Sequence, residues 1–392
     1  MSTLPLEGIR VADFTQVAQG PYATLLLAQM GAEVIKIETE SRSQGDARQA
    51  AGFANLNSSK KSLRLNLKDP RGMELARGLV KISDMAIENF ATGVMERLGL
   101  GYEDLKKVKP DIIMLSSQLL GRTGPLKNAI GFWAEVQNFS GLSHFTGYKD
   151  GRPGLVGAIW ADHLAGMLVV FAVLTALHHR QETGEGQYIQ VSMADNLVAA
   201  IPEMILDYSV NGRDEGPQEN RDSFLAPHGT YRCQGFDKWV SIAATNEEEW
   251  SILCQVTGHP EWAEDERFAD PVNRWRNQGD LDKLITQWTL NHTDYEAMHI
   301  LQEAGVPAGP TLDAEGMFND PHLNERGFYI PLGEKEGKPY VHVAHPWRSS
   351  DVPQPFYKLV PDLGEDNNYV LGDLLGISEM EIDRLAQDGV LS

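Results

Sequence analysis

Short apolar runs alternate with helical patterns over the first half of the chain, and this alternation limits the possible folds more than any other feature. Strand-like runs are found at 9–14, 32–37, 62–67, 85–87, 112–116 and 188–191. Helical patterns between them cover 21–30, 70–81 and 94–98, and later 193–208. Repeated strand–helix–strand units pack as a parallel sheet with helices on both faces. The sequence therefore predicts an α/β fold with a mostly parallel sheet.

The length of 392 residues exceeds the size at which one hydrophobic core stops growing, so two domains are expected. Residues 211–225 are rich in Gly, Pro, Asn and charge, which is typical of a linker. A smaller α+β domain is predicted over 226–315, with strands at 229–233 and 239–243 and helices at 247–256, 278–290 and 294–304. A return linker at 316–324 then leads to 325–392, which we expect to complete the large domain of 1–210.

Composition argues against several partners. A formal charge of -21 would repel nucleic acids and anionic membrane surfaces at long range. Cys233 and Cys254 offer neither metal-ligand spacing nor a disulfide framework, which fits a reducing cytosol. The N-terminus has no basic region followed by an apolar stretch, and the apolar run after Met167 meets His178 and Arg180 too early for a membrane span. We therefore expect a soluble, cytoplasmic protein.

The loop between the first strand and the first helix decides against a dinucleotide enzyme. Residues 15–21 read TQVAQGP and lack the G-x-G-x-x-G pattern that lets a backbone approach a pyrophosphate. Pro21 is explained by the helix start, where its missing N–H costs nothing. P-loop and H-E-x-x-H patterns are absent from the sequence as well. A nicotinamide dehydrogenase, a P-loop enzyme and a metalloenzyme are therefore not expected.

One carboxylate stands at the start of a long apolar helix. The run 160–166 reads WADHLAG, and apolar residues follow at a spacing near 3.6 residues. Asp162 therefore lies at or just before the first helical turn, where free N–H groups and the helix dipole favour an ionised carboxylate. Two interpretations stay open from position alone, a helix N-cap and a catalytic nucleophile. His178 and His179 complement the dipole at the other helix end, whereas His228 lies in a turn that suits either a site or a surface.

Several short motifs are similar, in order and spacing, to those of the class III CoA-transferases, the formyl-CoA and carnitine CoA-transferase type. In the first half these are LEGIRVADF (6–14), GP (20–21), GAEVIKIE (31–38), GD (45–46) with Arg48, NSSKKSL (57–63) with Leu65 and Lys68, ENF (88–90), Gly93 with RLG (97–99), AD (161–162) with Gly166, TGEGQ (183–187) and VSM (191–193). The second half adds GVP (305–307), GP (309–310) and LGDLLGI (371–377).

The resemblance implies a large Rossmann-like domain with a parallel sheet, a smaller α+β domain and an interlocked, ring-like homodimer. It makes Asp162 the catalytic nucleophile, which forms a mixed anhydride and then an aspartyl-CoA thioester. Coenzyme A or acyl-CoA is then a substrate beside a carboxylic acid acceptor, and no tightly bound cofactor or metal is implied. The implied CoA contacts are Val17, Ala18, Leu65, Lys68, Asn89, Phe90 and Arg97. Of these, Lys68 and Arg97 suit the CoA phosphates as charged donors.

The chain departs from the formyl-CoA transferases at several positions. Ala18 stands where those enzymes have a glutamine, the run SQLL at 117–120 replaces a lysine and a tyrosine, and no glycine-rich lid precedes His228. Oxalate is therefore not the expected acceptor. Aromatic residues instead suggest a larger or more apolar acid, namely Phe132, Trp133, Phe139, Phe145, Tyr148 and Trp160.

Two other functions remain open on the same fold. In α-methylacyl-CoA racemases the matching aspartate works with a histidine that follows a glycine. Here the run 131–135 reads GFWAE, so that histidine is missing and Glu135 would have to replace it in two-base proton transfer. The third possibility is a non-catalytic subunit that binds acyl-CoA without turning it over.

Overall fold

The computed structural model describes residues 4–39, 51–149, 151–157, 159–214, 216–335 and 337–392. The GD and Arg48 motif at 45–48 lies outside these residues. The chain forms two compact units. The first comprises Met1–His144, Gly154–Asp214 and Phe328–Ser392, and the second comprises Phe145–Pro153 and Glu215–Gly327. The segment Phe145–Pro153 belongs to the second unit, although the sequence analysis counted it with the large domain.

A six-stranded parallel sheet forms the centre of the first unit. Its strands are β1 (Arg10–Asp13), β2 (Glu33–Glu38), β3 (Lys61–Arg64), β4 (Met85–Glu88), β5 (Ile113–Gln118) and β6 (Tyr188–Ser192). They are ordered β3-β2-β1-β4-β5-β6, and all neighbouring pairs are parallel. The predicted α/β fold with a parallel sheet is confirmed. The strand order reverses between β1 and β4, and at such a point the loops at the carboxyl ends diverge and leave a crevice for ligands.

Ten helices lie between these strands and shortly after them in the described residues. They are α1 (Gln19–Gln29), α2 (Ala51–Asn57), α3 (Pro70–Lys81), α4 (Val94–Arg97), α5 (Tyr102–Val108), α6 (Trp133–Phe139), α7 (Leu142–Phe145), α8 (Trp160–Thr183), α9 (Met193–Ala199) and α10 (Pro202–Asn211). The prediction of one helix over 193–208 is wrong. Pro202 has no backbone N–H to donate within a helix, and its ring clashes with the backbone of a preceding helical turn. Helix α9 therefore ends before Pro202, and α10 begins with this proline in its first turn.

The second unit contains an antiparallel sheet of β7 (His228–Arg232), β8 (Trp239–Ala243) and β9 (Ala308–Pro310). Its helices are α11 (Glu247–Val256), a 3₁₀ turn (Pro260–Ala263), α12 (Pro271–Arg276), α13 (Gln278–Thr289), α14 (Asp294–Glu303), α15 (Ala314–Asn319) and α16 (Pro321–Glu325). Trp250, Phe268 and Ile285 are buried in its separate hydrophobic core. Each unit therefore has a core of its own.

The C-terminal segment packs on the first unit. It contains the hairpin β10 (Tyr329–Lys335) and β11 (Lys338–Val343), a π-helical turn (Tyr369–Leu374) and α17 (Glu379–Gln387). Val390 and Leu385 share one core with Leu63 of β3, and the carbonyl of Val390 accepts a hydrogen bond from the Asn66 N–H at 2.8 Å. Residues more than 300 positions apart thus stabilise one face of the sheet.

The opposite face of the sheet is covered by α1 and α8. Val169, Val173 and Leu177 of α8 are buried there against Leu27 of α1. With 24 residues and a window of mean hydropathy 1.7, α8 is long and apolar enough to cross a membrane, so the expectation that His178 cuts the apolar run too short is wrong. Packing into the core accounts for the inner side of α8, because 44% of that window is buried in the folded chain.

A buried charge cluster holds the loop that follows β1. The Asp13 carboxylate accepts hydrogen bonds from the hydroxyls of Thr15 and Thr24 and lies 3.3 Å from the Lys60 ammonium. Lys36 donates to the Thr15 carbonyl at 2.7 Å. Burial lowers the pKa of Lys60 to about 7. Burial alone would raise the pKa of Asp13, but the charges of Lys36 and Lys60 and the two hydroxyls hold it below its ordinary value.

Replacing Asp13 by asparagine is expected to lower the free energy of unfolding by roughly 3 to 5 kcal/mol, because two buried lysines lose their counter-charge. The loss should be larger at pH 6 than at pH 9, since Lys60 gives up its proton as the pH rises through about 7 and then needs no anion. Urea denaturation at both pH values measures this.

The matched control is Asp104→Asn, which removes an exposed carboxylate 2.9 Å from Lys107. Exposed pairs of this kind contribute about 1 kcal/mol or less. Equal losses in the two variants would show that the cluster does not stabilise the fold.

Candidate active site

A cavity of about 680 Å³ lies within the first unit, where the strand order reverses. The loops after β1, β4 and β5 supply its inner wall, and α6 and the start of α8 supply much of the rest. Its polar lining includes Gln19, Asn89, Ser117, Gln118, Glu135 and Asp162, and its apolar lining includes Val17, Phe90, Leu119, Leu126, Ile130, Phe132, Trp133, Ile159 and Met193. The fold thus places side chains from several separate parts of the sequence around one space.

Asp162 is the third residue of α8 and is only 7% exposed. The prediction that it lies at the start of this helix is confirmed. The N-cap position belongs to Ile159, which has a left-handed φ of 51° and makes no side-chain cap hydrogen bond. The Asp162 N–H donates to the Ile159 carbonyl at 3.0 Å. The N-cap interpretation of Asp162 is therefore wrong, and its carboxylate is available for another role.

The two oxygens of the Asp162 carboxyl group differ in their surroundings. The backbone N–H of Gln19 favours the ionised form of the group, whereas Oδ2 is buried and has no hydrogen-bond partner among the described residues. Burial raises the pKa of Asp162 above its ordinary value, and the Gln19 N–H and the nearby His163 oppose this only in part. The helix N-terminus thus does not offset the loss of water. A carboxyl group that lines a cavity and has a pKa raised by burial is typical of a functional site.

A close approach of α1 to α8 brings the Gln19 N–H to Asp162. Gly166 lies one turn after Asp162, and a Cβ there would come 2.8 Å from the Tyr22 ring and 3.0 Å from the Gln19 carbonyl. The Tyr22 ring also packs edge-on against His163, with ring centroids 4.4 Å apart. A glycine is therefore required at position 166 for the two helices to lie this close.

The loop after β1 is held over the cavity by a neighbouring strand end. Asn89 follows β4, accepts a hydrogen bond from the Gln16 N–H at 2.8 Å and donates to the Gln16 carbonyl at 2.7 Å. The next residue, Val17, has a φ of 66° and is 71% exposed. A β-branched residue in this region is strained, and such strain persists only where its surroundings impose it. Its position at the cavity supports a role in ligand contact.

The structure brings some of the predicted site residues together and leaves others apart. Val17, Ala18, Asn89, Phe90 and Asp162 line the same cavity. Leu65 is fully buried in the core and does not belong to the lining.

Lys68 and Arg97 are exposed and do not belong to this lining either. The Arg97 guanidinium lies against Gly93, 2.9 Å from where a Cβ would stand. The position of these two cations on the surface is compatible with a long ligand that extends beyond the cavity.

The aromatic residues named from the sequence do not form one group. Phe132 and Trp133 line the Asp162 cavity, while Phe139 and Trp160 are exposed residues of the first unit that do not belong to its lining. Phe145 and Tyr148 belong to the second unit. His228 lines a separate cavity of about 540 Å³ in that unit, where its Nδ1 lies 2.9 Å from the Asn220 carbonyl.

Sequence reasoning missed Gln19, Ser117 and Gln118 as site residues. The Gln19 side chain donates to the Ser117 hydroxyl, and Gln118 is the last residue of β5. The available signal was their position, since polar residues at the carboxyl ends of neighbouring parallel strands meet at one edge of the sheet. In the described residues, no group of three or more His, Cys, Asp and Glu side chains is arranged to hold a metal ion.

A buried carboxylate in a cavity at the switch point of a doubly wound sheet is the arrangement of an α/β enzyme that binds its substrate at the strand ends. The family model for CoA-transferase family III matches residues 6–367, and the chain belongs to this family. It is therefore a CoA-transferase by family, a transferase of sulfur-containing groups.

Named relatives align over nearly the whole chain. The succinyl-CoA–D-citramalate CoA-transferase of Chloroflexus aurantiacus is 33% identical over 398 residues, covering 99% of this chain and 98% of the relative. The alpha subunit of succinyl-CoA–L-malate CoA-transferase from the same organism is 35% identical over 394 residues, covering 97% and 91%. The crystal structure of a CAIB/BAIF family protein from Brucella suis has a TM-score of 0.87 and 30% identity, covering 95% of this chain and 100% of that one.

Replacing Gly166 by alanine is expected to destabilise the protein by about 1 to 3 kcal/mol, because the new methyl group overlaps Tyr22 and the Gln19 carbonyl. The forced separation of α1 from α8 should also lower CoA-transferase activity. Denaturation midpoints and steady-state rates measure both effects.

Gly78→Ala is the control, since it also lies inside a helix but its Cβ would meet only Leu375 at 3.7 Å. That variant should gain about 0.5 to 1 kcal/mol through a lower chain entropy in the unfolded state. A stabilising effect of both substitutions would contradict the close-packing argument.

Proposed function

We propose that this protein transfers CoA from an acyl-CoA thioester to a carboxylic acid, with Asp162 as the nucleophile. The observation that carries the proposal is the Asp162 carboxyl group itself. One backbone N–H holds it, its second oxygen has no partner among the described residues, and it opens onto a cavity of about 680 Å³. A capping or purely structural aspartate would have its oxygens satisfied.

The proposed reaction runs through covalent intermediates on Asp162. The carboxylate attacks the thioester carbonyl, the C–S bond breaks, and a mixed anhydride and CoA thiolate form. The thiolate then attacks the aspartyl carbonyl, which releases the donor acid as a carboxylate and leaves an aspartyl-CoA thioester. The carboxylate of the acceptor acid attacks this aspartyl-CoA thioester, its C–S bond breaks, and a new mixed anhydride and CoA thiolate form. The thiolate then attacks the acyl carbon of the acceptor and displaces the Asp162 carboxylate. The products are the new acyl-CoA and the regenerated Asp162 carboxylate.

The surroundings of Asp162 support this chemistry in two ways. Burial removes water from the attacking oxygen, and the apolar walls keep water from an anhydride that would otherwise hydrolyse. The Gln19 N–H favours the ionised form of the carboxyl group, which is the attacking form. The same burial raises the pKa of Asp162, so the carboxylate form that attacks is less favoured than in water.

The CoA moiety is proposed to enter past Val17, Ala18, Asn89 and Phe90, which line the cavity. Lys68 and Arg97 are exposed cations on an otherwise acidic chain, and we assign them to the CoA phosphates on the strength of the family resemblance. Leu65 lies in the core, so any contribution of this residue to CoA binding would come from its backbone.

The acceptor acid is proposed to be larger or more apolar than oxalate. Side chains from several segments give the cavity apolar walls, and Phe132, Trp133 and Met193 are among them. Two relatives carry D-citramalate and L-malate in their names, and both acids are longer than oxalate. Succinyl-CoA, the donor in both names, is the first donor to test.

Racemisation at the α-carbon is the second candidate, because Glu135 lines the same cavity as Asp162. The Glu135 carboxylate accepts a hydrogen bond from the Phe132 N–H at 2.7 Å at the start of α6. That capping bond gives Glu135 a structural role and makes transfer the better supported function.

The central test uses Asp162→Asn with a panel of acyl-CoAs and acids. Transfer should fall by at least a factor of about 1,000, since the amide cannot form the anhydride. Hydroxylamine should trap the wild-type intermediate at Asp162, detected by peptide mass analysis. Because burial raises the pKa of Asp162, the rate should fall on acidification at a pH above the ordinary carboxyl value of 3.8.

Asp195→Asn is the matched control, since Asp195 occupies the same third position of α9 but is exposed and not part of the cavity. Full activity of Asp162→Asn would sink the assignment. Solvent deuterium entering the α-carbon without CoA exchange would favour the racemase, and acyl-CoA binding without any turnover would favour a non-catalytic subunit.

The active form is proposed to be an interlocked homodimer, as the family resemblance implies. Apolar residues on the outer side of α8 are exposed, with Phe171 at 69%, and none of the residues of α10 is buried. Leu206 and Val210 of α10 are exposed as well. Apolar surface of this extent on a single chain is typical of an interface.

Sedimentation is expected to give a dimer that dilution does not convert into an active monomer. Phe171→Glu combined with Leu206→Glu should weaken the dimer and reduce activity with it, because a charge at an apolar interface is not solvated. Phe236→Glu, at an exposed position in the second unit, is the control. An active wild-type monomer would refute the dimer.

A further inference from the structure

A buried glutamine on α6 binds the backbone of the chain that leads into α8. Gln137 is fully buried, whereas Val156 lies outside the helices and strands, shortly before Ile159. The side-chain oxygen of Gln137 accepts a hydrogen bond from the Val156 N–H at 2.6 Å, and the side-chain nitrogen donates to the Val156 carbonyl at 3.2 Å. A reversed amide would set oxygen against oxygen, so this pairing fixes the orientation of the side chain. One side chain thus satisfies both polar groups of one backbone residue.

The start of α8 needs support of this kind, because it has no side-chain cap. Ile159 occupies the N-cap position with a φ of 51° and makes no side-chain cap hydrogen bond. A β-branched residue in this region is strained, and the strain persists only where the surroundings impose it. The Ile159 carbonyl accepts hydrogen bonds from the N–H groups of Asp162 at 3.0 Å and His163 at 3.2 Å. The backbone of Ile159 therefore anchors the first turn, which carries Asp162.

Helix α6 also packs on the first turns of α8. Val136, the neighbour of Gln137, is buried in one apolar cluster with Ala161 and Ala165 of α8. The same helix supplies part of the wall of the Asp162 cavity. A buried amide beside such a cluster is costly unless it is paired, so its pairing specifies one position for the chain that enters α8.

We propose that Gln137 is a positioning residue for the nucleophile, because by binding the Val156 backbone it fixes Ile159 and so keeps the Asp162 carboxyl group buried in the cavity. This inference rests on the proposed role of Asp162 in CoA transfer. Gln137 is not part of the cavity lining. It therefore acts through the backbone and not by contact with a substrate.

The test compares the pKa of Asp162 in the wild type and in Gln137→Met, which removes both hydrogen bonds from a side chain of similar length. Carbon-13 NMR of labelled aspartate carboxyl groups measures this pKa, and Asp162→Asn identifies the signal. The pKa should move towards its ordinary value of 3.8 in Gln137→Met, because a first turn that is no longer fixed exposes the carboxylate to water. The titratable groups beside it, His163, Glu135 and Lys127, are the same in both proteins.

Steady-state kinetics should show the same change in the transfer reaction. In Gln137→Met, kcat should fall by at least about tenfold, because a small displacement of a reacting group costs this much. KM for acyl-CoA should change by less than about threefold, since Val17, Asn89 and Phe90 belong to other loops of the cavity. The acid limb of the pH–rate profile should move to lower pH together with the pKa of Asp162.

Gln29→Met is the matched control. Gln29 is also a buried glutamine of the first unit, and its Nε2 lies 2.6 Å from Nε2 of His342. It is the last residue of α1, at the opposite end from Gln19. This variant should lose stability but keep the wild-type kcat and the wild-type pKa of Asp162. An unchanged pKa of Asp162 in Gln137→Met would overturn the proposal, and so would equal changes of this pKa in the two variants.

Hydrogen exchange of the wild type tests the proposal even if Gln137→Met does not fold. The Val156 N–H should exchange at least about 100-fold more slowly than an unprotected amide, although this residue lies in no helix or strand. Exchange at the unprotected rate would overturn the proposal. Absence of CoA transfer by the wild type would instead refute the proposed function, and the pKa comparison would still decide whether Gln137 positions Asp162.

Discussion

The buried charge of Asp13 at the end of β1 is the constraint on which the site depends. A carboxylate in the core persists only with counter-charges and donors around it, and Lys36, Lys60 and Thr15 provide them. Those groups belong to three separate strands or loops, so pairing them fixes where the chain after β1 must run. That loop leads into α1, and the N–H of its first residue, Gln19, favours the ionised form of Asp162. The position of Asp162 thus depends on a charge cluster whose residues are not part of the cavity lining.

The packing of α1 on α8 links the buried charge cluster to Asp162. Gly166 lets the helices approach until the Gln19 N–H reaches the carboxyl group, and the same approach removes water from Asp162. The Gln19 N–H lowers the pKa of Asp162, while the burial of the carboxyl group raises it by more. A more distant α1 would leave Asp162 solvated, ionised and free to rotate. Close packing of the two helices therefore makes Asp162 harder to ionise, but it also orients the carboxyl group and keeps water away from it.

Local patterns predicted the elements well where local energetics decide them. The helix Pro70–Lys81 was predicted with its observed bounds, since Pro follows the Asp69 cap, whose side chain accepts from the Arg71 N–H. The predicted helix over 193–208 failed, although Pro202 was visible in the sequence as a helix breaker. The site was predicted in part. Val17, Ala18, Asn89 and Phe90 line the cavity, whereas Leu65 lies in the core and the surface cations Lys68 and Arg97 lie outside its lining.

The sequence by itself determined the α/β class, the parallel sheet and the presence of Asp162 at the start of an apolar helix, because each depends on spacing along the chain. Tertiary structure alone decided that Ile159 takes the cap position, that Asp162 is buried with one oxygen unpartnered among the described residues, and that Gln118 lines the same cavity. Burial and hydrogen-bond satisfaction depend on neighbours distant in sequence. Periodicity in one segment carries no information about the groups that other segments bring to it.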